Sequence, residues 1–404
     1  MKNLLILTFV IPITLFGSIL FDPHMSPHAA SEDLLFLFNS LEKGIDRRIS
    51  EEYKGRNPRV ATLISIAELS IIDGSLGGLG SVTIHEVFGH GYRIRSLGNQ
   101  KAEVTGYKLG ADSGWTAFSI SPNLTTIEYT AITIAGIEAQ EILAECVKKH
   151  WFLDGKSDAR QGRLYTMSRM TPLLYAALDV FEISGPQDLF HGHDVKAYVQ
   201  ELNHLYPGYH YTQSQMFQRA LLNLVDPTLY NSFYSFFRYL IKGDNAPMWA
   251  IPIGSYRYIP SLTTYFAPYG VEYGMLNFLK NDRKLYIFYL KGGKMGNRQY
   301  GGAGLEVMPV INTEQVEIGF CGDIWRQPLL STPSITVWMQ ETPAFTPLGP
   351  DEWGGRLGVN MAVNLTKSKE YQALIETGIK SKGYLPGYSL LGGTYIRGGA
   401  RLSY

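Results

Sequence analysis

Gly355-Arg-Leu-Gly-Val-Asn-Met-Ala-Val-Asn-Leu-Thr366 alternates without a break. Leu357, Val359, Met361, Val363 and Leu365 fall on one face, and Gly358, Asn360, Ala362, Asn364 and Thr366 on the other. A period of two belongs to an extended strand, whose successive side chains point to opposite sides. Val316-Glu-Ile-Gly-Phe-Cys-Gly-Asp323 and Ala303-Gly-Leu-Glu-Val-Met308 share the pattern, and Lys280-Asn-Asp-Arg283 and Asn312-Thr-Glu314 supply turns between such runs. This texture begins after Gly254 and predicts an antiparallel domain over 251–404, with about eight strands, enough for a small closed barrel.

Alternation fits a soluble sandwich as well as a lipid-facing barrel, since each has one apolar face. Three features favour the barrel: few charges on the apolar faces, an export-type start to the chain, and the aromatics Tyr256, Tyr258, Tyr265, Phe266, Tyr269 and Tyr273 near the first strands, as in an interfacial girdle. The last strand, Leu390 to Tyr404, sets Ile396, Ala400, Leu402 and Tyr404 on one face and Arg397 and Arg401 on the other. It resembles the closing strand of bacterial outer-membrane barrels, which ends in an aromatic residue. That resemblance implies an outer-membrane location and a lipid bilayer as partner. With an even strand number, both ends of the barrel chain face the periplasm, which puts the preceding domain there.

Residues 1–30 read as a signal peptide or N-terminal anchor. Leu4 to Phe21 is apolar, with one positive charge before it and no acid until Asp22, and Ser26-Pro-His-Ala-Ala-Ser31 offers small residues for cleavage near Ala29 or Ala30. Lys plus Arg balance Asp plus Glu at 36 each and no basic block occurs, which argues against nucleic acid as a partner. Charged residues make up 18% of the chain, against 42 Gly, 26 Tyr and 19 Phe. Cys146 and Cys321 lie far apart in different predicted domains, so a disulfide is not expected.

Residues 31–250 carry helical signals. Leu34 to Lys43, Arg59 to Ser70, Ile127 to Lys149, Ser168 to Ile183, Asp194 to Leu205, Gln213 to Leu224 and Pro227 to Ile241 read as helices, Asp194 serving as an N-cap, and Glu103 to Leu109 reads as a strand or hairpin. Within this domain, Thr83-Ile-His-Glu-Val-Phe-Gly-His-Gly91 sets two imidazoles and a carboxylate close together. In the zincin signature H-E-x-x-H, two histidines one turn apart bind zinc and the intervening glutamate takes a proton from the attacking water. Here the spacing is one residue longer. On a regular α-helix His85 and His90 would stand roughly 140° apart, against roughly 40° for the usual spacing. The pair can chelate only if the helix widens by a residue, as a π-bulge does, or unwinds at Gly89.

The variant H-E-x-x-G-H resembles the motif of the dipeptidyl peptidase III family of zinc peptidases. The resemblance covers six residues and implies chemistry rather than fold: His85 and His90 as zinc ligands, Glu86 as general base, and a third ligand from a glutamate on a later helix. In Ala135-Gly-Ile-Glu-Ala-Gln-Glu-Ile-Leu-Ala-Glu145 the candidates are Glu138, beside the small pair Ala135-Gly136, and Glu141, which begins an E-x-x-x-E pattern with Glu145. Glu138 is favoured. His191 or His193 could complete the site instead, although a loop before a capped helix is the plainer reading of that pair.

The sequence thus predicts an α+β chain: a mostly helical, zincin-like domain followed by an antiparallel β-barrel. The function expected is that of an exported zinc-dependent hydrolase, a metallopeptidase acting on peptide or protein, tethered to the bacterial outer membrane. The competing reading is a non-enzymatic outer-membrane barrel, a pore or binding protein, whose histidines are structural.

Overall fold

The computed structural model describes residues 17–49, 58–111, 113–181, 193–282, 284–330, 349–368 and 370–402. Residues 1–16 of the expected leader, His191 and Tyr404 lie outside the described residues. The helices are α1 (Pro27–Ile49), α2 (Pro58–Glu68), α3 (Gly74–Thr83), α4 (Gly91–Leu97), α5 (Thr126–Asp154), α6 (Gly162–Val180), α7 (Asp194–Leu205), α8 (Gln213–Ala220) and α9 (Pro227–Lys242). The strands are β1 (Gly17–Phe21), β2 (Ala102–Leu109), β3 (Gly114–Ile120), β4 (Lys156–Ser157), β5 (Ala246–Pro247), β6 (Ile251–Ile253), β7 (Tyr256–Ala267), β8 (Gly270–Lys280), β9 (Leu285–Met295), β10 (Arg298–Asn312), β11 (Val316–Pro328), β12 (Asp351–Asn364), β13 (Tyr371–Lys380) and β14 (Gly393–Leu402). The chain is therefore α+β, with the change from helices to one large antiparallel sheet falling where the sequence period changes.

α5 is the central element. A capping box starts it, Thr125 accepting from the Glu128 amide while the Glu128 side chain accepts from the Thr125 amide, and Gly155 ends it with a left-handed φ of 71°. Its buried residues run along nearly its whole length, because α1, α6 and α7 pack around it and the sheet lies beyond. Ala139, Leu143, Val147 and Phe152 meet Ile259, Leu276 and Phe278 of the sheet in one core cluster, with Leu35 of α1 and Leu164 of α6. A buried ionic network reinforces the junction. Arg169 of α6 reaches Glu141 at 2.7 Å and Asp226 at 3.0 Å, and Lys148 of α5 reaches Asp226 at 2.8 Å.

Among the described residues the sheet has ten strands in the order β1-β14-β13-β12-β11-β10-β9-β8-β7-β6, and it is not closed. This corrects the expected closed barrel of about eight strands. The last strand does not return to the first strand after residue 250. It pairs with β1, Ile19 standing opposite Ala400 and Phe21 opposite Gly398. Both free edges are met by side chains of the helical part. Asn223 Oδ1 accepts from the Thr264 amide at 2.8 Å along β7, and Asp33 Oδ1 of α1 accepts from the Leu20 amide at 2.7 Å along β1. Each of these contacts satisfies an edge amide that would otherwise be orphaned. The apolar run expected to lead the chain thus ends as sheet at Gly17–Phe21, and Ala29 and Ala30, the expected cleavage points, are buried in α1.

The sheet is turned inside out relative to a soluble sandwich. Its outward residues are large, apolar and exposed: Leu290 at 56%, Ile324 at 55%, Leu357 at 55%, Ile379 at 58% and Ile396 at 60%. Its inward residues include Glu272 at 1%, Lys291 at 9% and Arg397 at 3%. These inner charges are paired, Lys291 with Glu272 at 2.7 Å, Arg356 with Asp323 at 2.6 Å, and Arg397 with Glu376 at 2.9 Å and Asp22 at 3.0 Å. Register explains the sorting. Leu357 faces Ile379 across one ladder, while Arg397 faces Glu376 across another.

Candidate metal centre

The histidine motif lies on a π-helical turn, Ile84–His90, set in a continuous helix between α3 and α4. Widening by one residue brings His90 back beside His85, as the five-residue spacing requires. The two Nε2 atoms are 3.2 Å apart. The turn packs on α5 at very short range. A Cβ on Gly89 would stand 2.6 Å from the Ala135 carbonyl oxygen, and one on Gly136 would stand 2.3 Å from His85 Nε2. Only glycine at both positions permits this approach.

Each imidazole is oriented from behind. His90 Nδ1 donates to the Ile132 carbonyl at 2.7 Å, which leaves Nε2 facing the site. His85 Nδ1 lies 2.9 Å from Gln140 Oε1, and Gln140 in turn donates to Ser81 Oγ at 2.7 Å. The Tyr175 ring of α6 stacks on His85 with centroids 5.6 Å apart and 15° between planes. Such supporting hydrogen bonds to Nδ1 are the usual surroundings of metal-ligating histidines.

The third group that could ligate a metal here is Asp194. Its Oδ2 is 2.9 Å from His85 Nε2 and 3.4 Å from His90 Nε2. The three groups form one of the clusters among the described residues with metal-ligand geometry. Bonds of roughly 2.0–2.1 Å to a tetrahedral zinc place neighbouring ligand atoms about 3.3–3.4 Å apart. The His85–His90 and His90–Asp194 separations lie close to that triangle, and the His85–Asp194 contact is shorter, at hydrogen-bond distance. Electrostatics agree: although burial opposes its charge, Asp194 holds the His90 imidazolium up to about 9, with Glu86 adding to the effect. Burial likewise works against ionised Asp194, yet the two histidines keep its carboxyl well below the ordinary range. A carboxylate that stabilises a proton on this pair favours a divalent cation in the same place.

Asp194, rather than Glu138 or Glu141, stands beside the two histidines. Ile132, Gly136 and Gln140 recur every four residues and form the stripe of α5 that faces the histidines. Glu138 is two residues out of phase and points to the other side, where Arg93 grips it at 2.6 and 2.7 Å and the Gly387 amide donates to it at 2.6 Å. Glu141 faces Arg169 and Asn223. Burial pushes Glu141 up to about 7, partly opposed by Arg169. The structure also corrects the capping role of Asp194. His193 is the N-cap of α7, no side chain caps that end, and the Asp194 carboxylate turns to the histidines. Asp194 was visible in the sequence only as a helix start, directly after His193.

Glu86 is buried and close enough to His90 to act on its charge. Thr116 of the β2–β3 hairpin donates to its Oε2 at 2.7 Å and to its backbone carbonyl at 3.0 Å. That hairpin, expected from Glu103 to Leu109, thus serves as a wall of the site. Thr116, Gln140 and Tyr175 were missed because their roles depend on contacts with no local signature.

No family model and no curated protein matches this chain. Among solved structures, a NanC porin in a rhombohedral crystal form is similar at a TM-score of 0.25 and 14% identity, over 39% of this chain and 76% of that one.

Proposed function

We propose that this chain is a zinc-dependent hydrolase, a metallopeptidase, held in the bacterial outer membrane by the outward face of its sheet. The observation that carries the chemistry is the convergence of His85 Nε2, His90 Nε2 and Asp194 Oδ2, with Glu86 next to them in sequence and buried at the same site. Zinc held by three protein ligands would keep a fourth position for water and lower its pKa toward neutrality. Glu86, steadied by Thr116, is the group that would accept the proton from that water and return it to the leaving amine. Gln140, Ser81 and the Ile132 carbonyl keep both imidazoles in the tautomer that presents Nε2.

The membrane location rests on the inverted sheet. A contiguous apolar exterior with a paired, charged interior is what hydrocarbon selects, and a water-soluble sandwich would expose the reverse.

The test is hydrolysis of a peptide library by the full chain in detergent, with Glu86→Gln alongside. Glu86→Gln should retain the metal and lose at least about a hundredfold in rate, in line with removal of a general base. Turnover close to wild type in that variant would refute the assignment, and a metal-free wild-type chain would favour a non-enzymatic protein.

A further inference from the structure

Cys146 and His150 are one turn apart on α5, on a face different from the one that meets His85 and His90, and Glu32 of α1 lies across from them. His150 Nε2 is 2.9 Å from Glu32 Oε2, and the Cys146 thiol donates to Glu32 Oε1 at 3.4 Å. Thiolate, imidazole and carboxylate at these separations make a ligand set for a tetrahedral, thiophilic divalent ion, and a four-residue helical spacing is the simplest way to place two of them on one cation. We propose that Glu32, Cys146 and His150 form a second metal site, independent of the histidine-motif centre, which takes a thiophilic ion of the zinc class.

A second observation supports it. Glu32 and Cys146, though not His150, line an open cavity of about 290 Å³ between α1, α5 and the inner face of the sheet, which leaves room for a fourth ligand. The cation Lys149 does not block the cluster, because it is engaged by Glu306 at 2.6 Å. Burial, and then Glu32, push the Cys146 thiol well above its usual range. Burial opposes charge on His150 too, but Glu32 outweighs it and holds the imidazolium above its usual range. Binding would release to solvent any proton held on the Cys146 thiol or on His150 Nε2, with the ion taking its place on that atom.

The experiment is a Co²⁺ titration of the full chain in detergent, stripped beforehand with a chelator and read by the near-ultraviolet thiolate-to-cobalt charge-transfer band. Wild type and the His85→Ala/His90→Ala double variant should both develop the band, which separates this site from the proposed catalytic one. Cys146→Ser should abolish it, and His150→Gln, which leaves the thiol in place, should weaken binding by about tenfold or more. Zinc should also protect Cys146 from alkylation. A wild-type titration without the band, a band that survives in Cys146→Ser, or alkylation unaffected by saturating zinc would each overturn the proposal.

Discussion

Glu138→Ala separates two readings of α5. As a zinc ligand, Glu138 would be needed for metal and dispensable for folding, whereas its observed contacts imply the opposite. Its two oxygens accept from Arg93 Nη2 at 2.6 and 2.7 Å, and Oε1 also accepts from the Gly387 amide at 2.6 Å. Truncation leaves the Arg93 guanidinium fully buried, with the Tyr388 carbonyl at 2.8 Å as a remaining acceptor, and removes a partner from a buried amide on the loop between β13 and β14. Breaking one half of a buried ion pair costs about 3–5 kcal/mol, because the surviving charge is uncompensated. The expected result is a loss of that size in denaturant stability, measured by helical circular dichroism in detergent, with the metal content of the folded protein unchanged. A loss under about 1 kcal/mol together with loss of metal would refute the reasoning and restore Glu138 as a ligand; the 1 kcal/mol bound is well below the buried-pair range.

Gly136→Ala should strip the motif centre of metal while Gly106→Ala does not, since a Cβ at 136 meets His85 Nε2 at 2.3 Å and one at 106 meets nothing within 4 Å; zinc analysis of the two folded variants checks this. Burial pushes Glu201 up to about 8 from 4.5, so its native carboxyl keeps a proton that the unfolded chain has lost. Stability from this group is therefore full below about pH 4.5 and is lost as pH rises through about 8, on the order of a few kcal/mol, and Glu201→Gln should flatten that part of the stability profile. Ala400 is exposed on the outward face between Ile19 and Ala373, so Ala400→Arg should cost roughly 2–4 kcal/mol near a bilayer midplane and reduce membrane recovery on fractionation. Unchanged recovery would count against lipid contact there.

The parts of this molecule fixed by local pattern were legible in its sequence. Alternation placed Leu357 and Val359 on one face and Asn360 on the other, and the same rule sorted Ile396 from Arg397, because strand faces are set by a period that neighbours do not alter. The extra residue between His85 and His90 required a widened turn, and Ile84–His90 is one. What sequence missed depends on long-range packing. The sheet stays open and takes β1 from the start of the chain as the partner of β14, and no strand pattern reports that. Asp194 reaches the histidines because α7 packs on α5, while its position at a helix start gave a sufficient local reason for an aspartate. The helical phase of α5, with Ile132, Gly136 and Gln140 toward the site, would have excluded Glu138 had the contact face been known.

The most direct test of the central claim is anomalous X-ray scattering at the zinc edge from crystals of the full chain grown without chelator. The structure predicts a peak roughly 2.0–2.2 Å from His85 Nε2, His90 Nε2 and Asp194 Oδ2, beside Glu86. No zinc signal at that point in a zinc-replete crystal, with Asp194 bonded directly to the two imidazoles, would contradict it.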